Sequence, residues 1–197
     1  MTYANQILKM AHANNGVVTN TQVTKAGISR EYLRGLVGAG LLERSDRGVY
    51  IVPTVFNDEM FNLQTRFKRG IFSQDTALFL LDLTDRTPIK FSMTFPLGYN
   101  TGGLRSENVK CYRVKDAVYA LGVIDIKSPG GNPIRCYNAE RTLCDILQSR
   151  SNSDIQVVTD AFKRYARLDQ RDIPMLSKFA KLFRVEKKLR AYLEILL

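Results

Sequence analysis

Residues Asn20 to Val52, NTQVTKAGISREYLRGLVGAGLLERSDRGVYIV, restrict the fold more than any other stretch. Two short helical segments are punctuated by Gly27 and Gly40, and two apolar runs then flank a polar tip. Thr19 or Asn20 can cap the first helix, because a side-chain oxygen there meets the free N–H groups of the first turn, and Thr19 to Gln22 has capping-box spacing. Gly27 ends that helix, since a residue without Cβ tolerates the left-handed conformation that closes helices, and Ser29 is placed to cap the next. The connection is as short as a helix-turn-helix requires.

The second helix, roughly Arg30 to Ala39, turns Leu33, Leu36 and Val37 inward. Arg30, Glu31, Tyr32 and Arg34 fall near its start and outer side. Leu41 to Arg44 and Val49 to Val52, around the tip Ser45-Asp46-Arg47-Gly48, read as a two-stranded hairpin, with Val17-Val18 as a candidate third strand. The expectation is a winged helix-turn-helix over residues 1–52. Ser29, Arg30, Tyr32 and Arg34 would face base edges in the major groove, and Arg44 and Arg47 would sit at the hairpin tip against phosphates or the minor groove. Tyr32 could instead pack against the wing, and the same architecture serves some proteins as a protein-docking module.

Charge supports a polyanionic partner. The 197 residues carry 29 Lys and Arg against 19 Asp and Glu, a net +10, and such a balance favours nucleic acid over an anionic membrane. Residues 1–52 contribute six basic and three acidic side chains, so most of the excess lies beyond Val52. Cys111, Cys136 and Cys144 show no C-x-x-C pairing and read as free buried thiols of a reducing compartment. The single His12 lies on an amphipathic helix, as a surface or core residue. No metal site, cofactor or catalytic centre is expected, and neither is a membrane span or a signal peptide, which places the chain in the cytoplasm.

Pro53 closes the second wing strand because it offers no N–H to a ladder, and Thr54 to Asp58 read as a linker. Residues 53–197 then form a second, mixed α/β domain. Helices are predicted over about Asp58 to Arg69 and Ser73 to Leu83, the latter capped by Ser73. Strands follow at Ile89–Phe95, Asn108–Val114, Val123–Ile126 and Ile134–Tyr137. The glycine-bearing loop Thr101-Gly102-Gly103-Leu104-Arg105 lacks the spacing of a phosphate-binding motif and reads as a connection. From Asn138 the chain is helical to its end, with Ile155, Val158, Ala161, Phe162, Tyr165 and later Leu196 among the inward positions. Residues 163–190 carry ten basic and three acidic side chains. Lys178, Lys181, Lys187 and Lys188 there are candidates for a second contact with a DNA backbone, against the alternative of a solvated helix face. The fold class is α+β, a winged helix-turn-helix followed by a mixed α/β domain ending in helices.

Taken in order, LLERSDRGVYIVP, FSQDTALFLLDLTDRTP, IRCYNAERTLCDIL and LRAYLEILL give the chain a resemblance to the AbiE-type antitoxins, transcriptional repressors of bacterial abortive-infection toxin–antitoxin operons. The most specific piece is Glu140-Arg141-Thr142 with Asp145. The resemblance implies a non-enzymatic antitoxin and autorepressor whose N-terminal domain binds inverted repeats in its own promoter DNA. It also implies that the C-terminal domain counters a nucleotidyltransferase toxin, without a stable complex. From the residues themselves, Arg141 and Asp145 form an i,i+4 pair suited to stapling a helix. The rival reading is an enzyme acting on nucleotides or nucleic acid with a winged-helix docking module. Against it stand the missing Walker loop and the want of a usable His or Cys centre.

Overall fold

The computed structural model describes residues 2–54, 58–104, 107–149, 151 and 153–196. The fold is mixed α+β, with two sheets. It divides into two compact units, one of residues 1–68 with 126–134, the other of residues 69–125 with 135–197. Most of the expected linker, Arg105 of the glycine-bearing loop and the side chain of Leu196 fall outside the described residues.

In the first unit, α1 (Tyr3–Ala13), β1 (Val17–Thr19), α2 (Asn20–Lys25), α3 (Glu31–Gly38), β2 (Glu43–Asp46) and β3 (Val49–Ile51) precede α4 (Glu59–Arg66). The strands form a sheet in the order β1-β3-β2, with β3 antiparallel to both neighbours. Thr19 and Gln22 close the capping box of α2. Ile7, Ala11, Val18, Val23, Ile28, Leu33, Leu36 and Leu42 make one buried cluster, so each helix contributes its apolar stripe to a common core.

This unit extends past the expected boundary at Val52, for two reasons. Phe61 of α4 packs on a second cluster of Val17, Val49 and Ile51. Asp58, the N-cap of α4, accepts from Phe61 N–H at 3.0 Å and also from Ser128 Oγ and from Asn132 Nδ2 at 2.8 Å. A buried carboxylate with donors at both oxygens is well satisfied, and it fastens the turn 128–132 to the start of α4.

The second unit contains β4 (Ile71–Phe72), α5 (Gln74–Leu80), β5 (Phe91–Pro96), β6 (Val109–Val114), α6 (Asp116–Tyr119), the greater part of β7 (Val123–Lys127) and of β8 (Pro133–Tyr137), α7 (Ala139–Ile146), α8 (Ile155–Ala166), α9 (Ile173–Phe183) and α10 (Glu186–Leu196). Its sheet runs β6-β5-β4-β8-β7, with β5 parallel to β6 and β4 antiparallel to β5. The central strand β4 has two residues, too short to show any alternation in sequence. The helices pack around Leu143, Cys144, Ala161, Phe162, Leu176 and Ala180.

Several local expectations change. Ser73 occupies the N-cap position of α5, but its hydroxyl accepts from Thr94 Oγ1 at 2.8 Å and makes no cap bond. Ile155, expected inward, is 71% exposed because α8 begins at that residue and the stripe is buried only from Val158 onward. Cys136 and Cys144 are buried, and burial pushes both thiols up to about 12. Cys111 is exposed, since it lies on β6 at the edge of the sheet.

Candidate nucleic-acid interface

The first turn of α3 starts one residue later than expected. Arg30 takes helical angles at the N-cap without a side-chain cap bond, and Ser29 Oγ accepts from the N–H of Glu31 at 3.3 Å. Ser29 therefore supports the turn, and the exposed side chains of Glu31, Tyr32 and Arg34 project from the first turns of α3. Arg30 Nε donates to Thr24 Oγ1 of α2 at 2.9 Å, which fixes the direction of its guanidinium.

The hairpin also differs in register. β2 begins at Glu43, with an irregularity between Arg44 and Asp46, so the tip shortens to Arg47 and Gly48. Arg44 thus stands within the strand, opposite Tyr50, and only Arg47 of the two occupies the tip. The consequence is a cleft of about 510 Å³ between α3 and the hairpin, lined by Asn20, Arg30, Glu31, Arg34, Val37, Arg44 and Tyr50. Three guanidinium side chains line one concave surface. Among the described residues neither Arg34 nor Arg44 has an acidic partner, although Arg66 pairs with Asp46 at 3.1 Å.

Tyr32 lies elsewhere. Its ring meets Tyr3 of α1 edge-on at 5.4 Å, and it lines a separate groove of about 480 Å³ with Ala4, Gly35, Ala39 and Leu41. Neither its expected place beside the arginines nor the alternative of packing on the wing describes it. Glu31 borders both depressions and so forms the ridge between them. Sequence reasoning left Glu31 near the helix start without a role, took Asn20 only as a candidate helix cap and took Tyr50 only as a strand residue. The available signal was the spacing: Glu31 stands at i+1 from Arg30 and i−3 from Arg34.

In the second unit Lys178 and Lys181 on α9 and Lys187 on α10 are exposed. Lys188 is exposed as well, but its Nζ donates to the carbonyl of Leu147 at 2.8 Å. Leu147 is the C-cap of α7, where a cation suits the negative end of the helix dipole. Arg164 pairs with Asp85 at 3.1 Å and Arg171 donates to the carbonyl of Ala166, so part of the basic excess has structural partners.

The Glu140-Arg141-Thr142 motif is sealed inside the second unit. Arg141 has no exposed surface. Its Nε pairs with Asp145 at 2.9 Å, its Nη1 donates to the carbonyls of Val118 and Leu121, and the rings of Tyr137 and Phe183 lie 4.4 and 4.2 Å from the guanidinium. Glu140 accepts from Tyr165 Oη at 2.9 Å and from the N–H of Asp172 at 3.3 Å. These contacts fasten α7 to α6, α8 and α9, which is a structural role. Among the described residues no cluster of three metal-ligating side chains occurs, and no helix is long and apolar enough to cross a membrane.

No curated protein matches the chain. The crystal structure of the RV2827C protein from Mycobacterium tuberculosis shares its fold, with a TM-score of 0.56 and 15% identity over 92% of this chain and 72% of that one. Residues 5–53, from α1 to the end of the hairpin, match the family described as transcriptional regulator, AbiEi antitoxin. The family read from the sequence is therefore the one that this segment matches, the AbiEi-type antitoxin transcriptional regulators.

Proposed function

We propose that the protein is a DNA-binding autorepressor and antitoxin, in which the first unit acts as a winged helix-turn-helix on inverted repeats of its own promoter. The observation that carries this reading is the cleft in which Arg30, Arg34 and Arg44 converge, with Arg47 beyond it at the hairpin tip. Unpaired guanidiniums repel one another, and a polyanion relieves that repulsion. The antitoxin half of the proposal rests on the family match. It takes the second unit to counter a nucleotidyltransferase toxin without a stable complex, in the cytoplasm.

The test is a titration of duplex DNA from upstream of the gene with the full chain, repeated over a range of salt. Binding with a steep salt slope is expected. Arg44→Ala and Arg47→Ala should each reduce the slope by about one unit if they neutralise a phosphate, whereas Arg34→Ala should relax sequence preference by ~1–3 kcal/mol. Salt-independent or absent binding by the native chain would overturn the DNA reading. For the antitoxin half, growth beside the adjacent toxin gene, each gene under a foreign promoter, should be rescued by the full chain and equally by its Arg34→Ala/Arg44→Ala/Arg47→Ala variant, whose second unit is unchanged. Loss of rescue in that variant would overturn that division.

A further inference from the structure

Glu31 is an acid placed where a phosphate-binding surface would exclude one. It sits between Arg30 and Arg34 on the first turn of α3, it is exposed, and it forms no ion pair with either among the described residues. The surface therefore combines three guanidinium donors with one exposed acceptor, the Glu31 carboxylate. A phosphate backbone offers acceptors alone, so it satisfies the arginines and repels Glu31. The edge of a base pair offers both.

We infer that Glu31 is a specificity-determining residue that reads the exocyclic amine of a cytosine in the major groove, beside an arginine that reads guanine. This rests on the DNA-binding reading above and deepens it. In the major groove only cytosine N4 and adenine N6 donate hydrogen bonds. Adenine N6 lies next to N7, an acceptor that a carboxylate repels, and the bidentate partner of adenine is an amide. Cytosine N4 lies next to a C–H, so a carboxylate approaches it without that penalty. Guanine then presents O6 and N7 to a guanidinium, and Arg30 and Arg34 flank Glu31 at i−1 and i+3. The position of Glu31 on the ridge between two depressions makes it a forward-projecting side chain of α3, as contact with a base edge requires.

An acid in the first turn of a helix also favours the helix dipole, which by itself would explain Glu31 without any partner. Sequence preference separates the two roles, since a dipole contribution leaves base choice untouched. The experiment is enrichment of bound duplexes from a randomised library by the full-length native chain, by Glu31→Gln and by Glu31→Ala. The native protein is expected to enrich a site with an invariant cytosine at one position. Both variants should lose about tenfold of the preference for cytosine over the other bases there and keep the rest of the site. An identical enriched sequence for all three proteins would overturn the role of Glu31 while leaving DNA binding intact. Failure of the native chain to enrich any sequence would overturn both.

Discussion

The backbone N–H of Asn20 donates to the carbonyl of Gly48 at 2.9 Å, tying the first residue of α2 to the tip of the β2–β3 hairpin. Gly48 has φ +78°, and a Cβ built there would stand 3.1 Å from Asn20 Nδ2. Arg47 and the cleft arginines are thus held in one frame by a contact that leaves a side chain at position 48 little room. Gly48→Ala should destabilise the first unit by ~1–2 kcal/mol, from the left-handed conformation and the crowding against Asn20 together. Gly48→Asn should cost less of the conformational part. Urea denaturation of the three proteins checks the order, and equal midpoints would contradict it.

Removing one partner of the buried pair Arg141–Asp145 has an asymmetric outcome. Asp145→Ala leaves a guanidinium with no exposed surface and no counter-charge, a situation that costs ~3–5 kcal/mol. Arg141→Met removes the buried cation and retains an apolar chain between Tyr137 and Phe183, so a smaller loss is expected. The Nη2 of Arg141 has no partner even in the native structure, which adds to the advantage of the apolar replacement. Chemical denaturation of both variants measures the difference, and a more stable Asp145→Ala protein would refute it.

Gly35 and Gly38 lie on α3 with open space where a Cβ would stand, so nothing within the fold requires glycine at either position. Replacing each by alanine should raise stability by up to about 1 kcal/mol through helix propensity. Under the proposed function the same face is covered by a duplex, and the added methyl groups should weaken DNA affinity while the melting temperature rises. Opposite movement of the two quantities is the expected signature. A parallel rise would place the duplex elsewhere on the unit.

What the sequence revealed follows from how local each signal is. Capping at Thr19 and the i,i+4 pair at Arg141 are encoded within a few residues, and each forms as read. The two-residue strand β4 shows no period and exists only through its neighbours, so it escaped notice. The hairpin was foreseen, but its bulge at Arg44 depends on pairing with β3, and that pairing moves Arg44 from the tip into the cleft. Tyr32 was misplaced for a similar reason, because its contact with Tyr3 joins residues far apart in the chain. Asp58 looked like the end of a linker, since its partners Ser128 and Asn132 lie about seventy residues away.

The basic helices of the second unit call for a test that respects their structural contacts. Reversing Lys188 would put a carboxylate against the carbonyl of Leu147 at the C-terminus of α7, and loss of binding would then report a damaged helix end. Lys178, Lys181 and Lys187 carry no such contact among the described residues and can be changed to Glu together. If the three face DNA, as their charge suggests, removing their phosphate contacts lowers the magnitude of the slope of log K against log salt by about 0.9 per contact. The full chain should also show a steeper slope than its first-unit contacts alone can supply, because residues 1–68 with 126–134 hold nine basic and five acidic side chains, a net charge of only four. The expected result is a triple variant that melts like the native protein and has a slope shallower by two to three units, a drop of roughly 0.9 for each of its lysines that meets a phosphate. An unchanged slope would return those lysines to the role of a solvated helix face and leave the cleft arginines to account for the whole salt dependence.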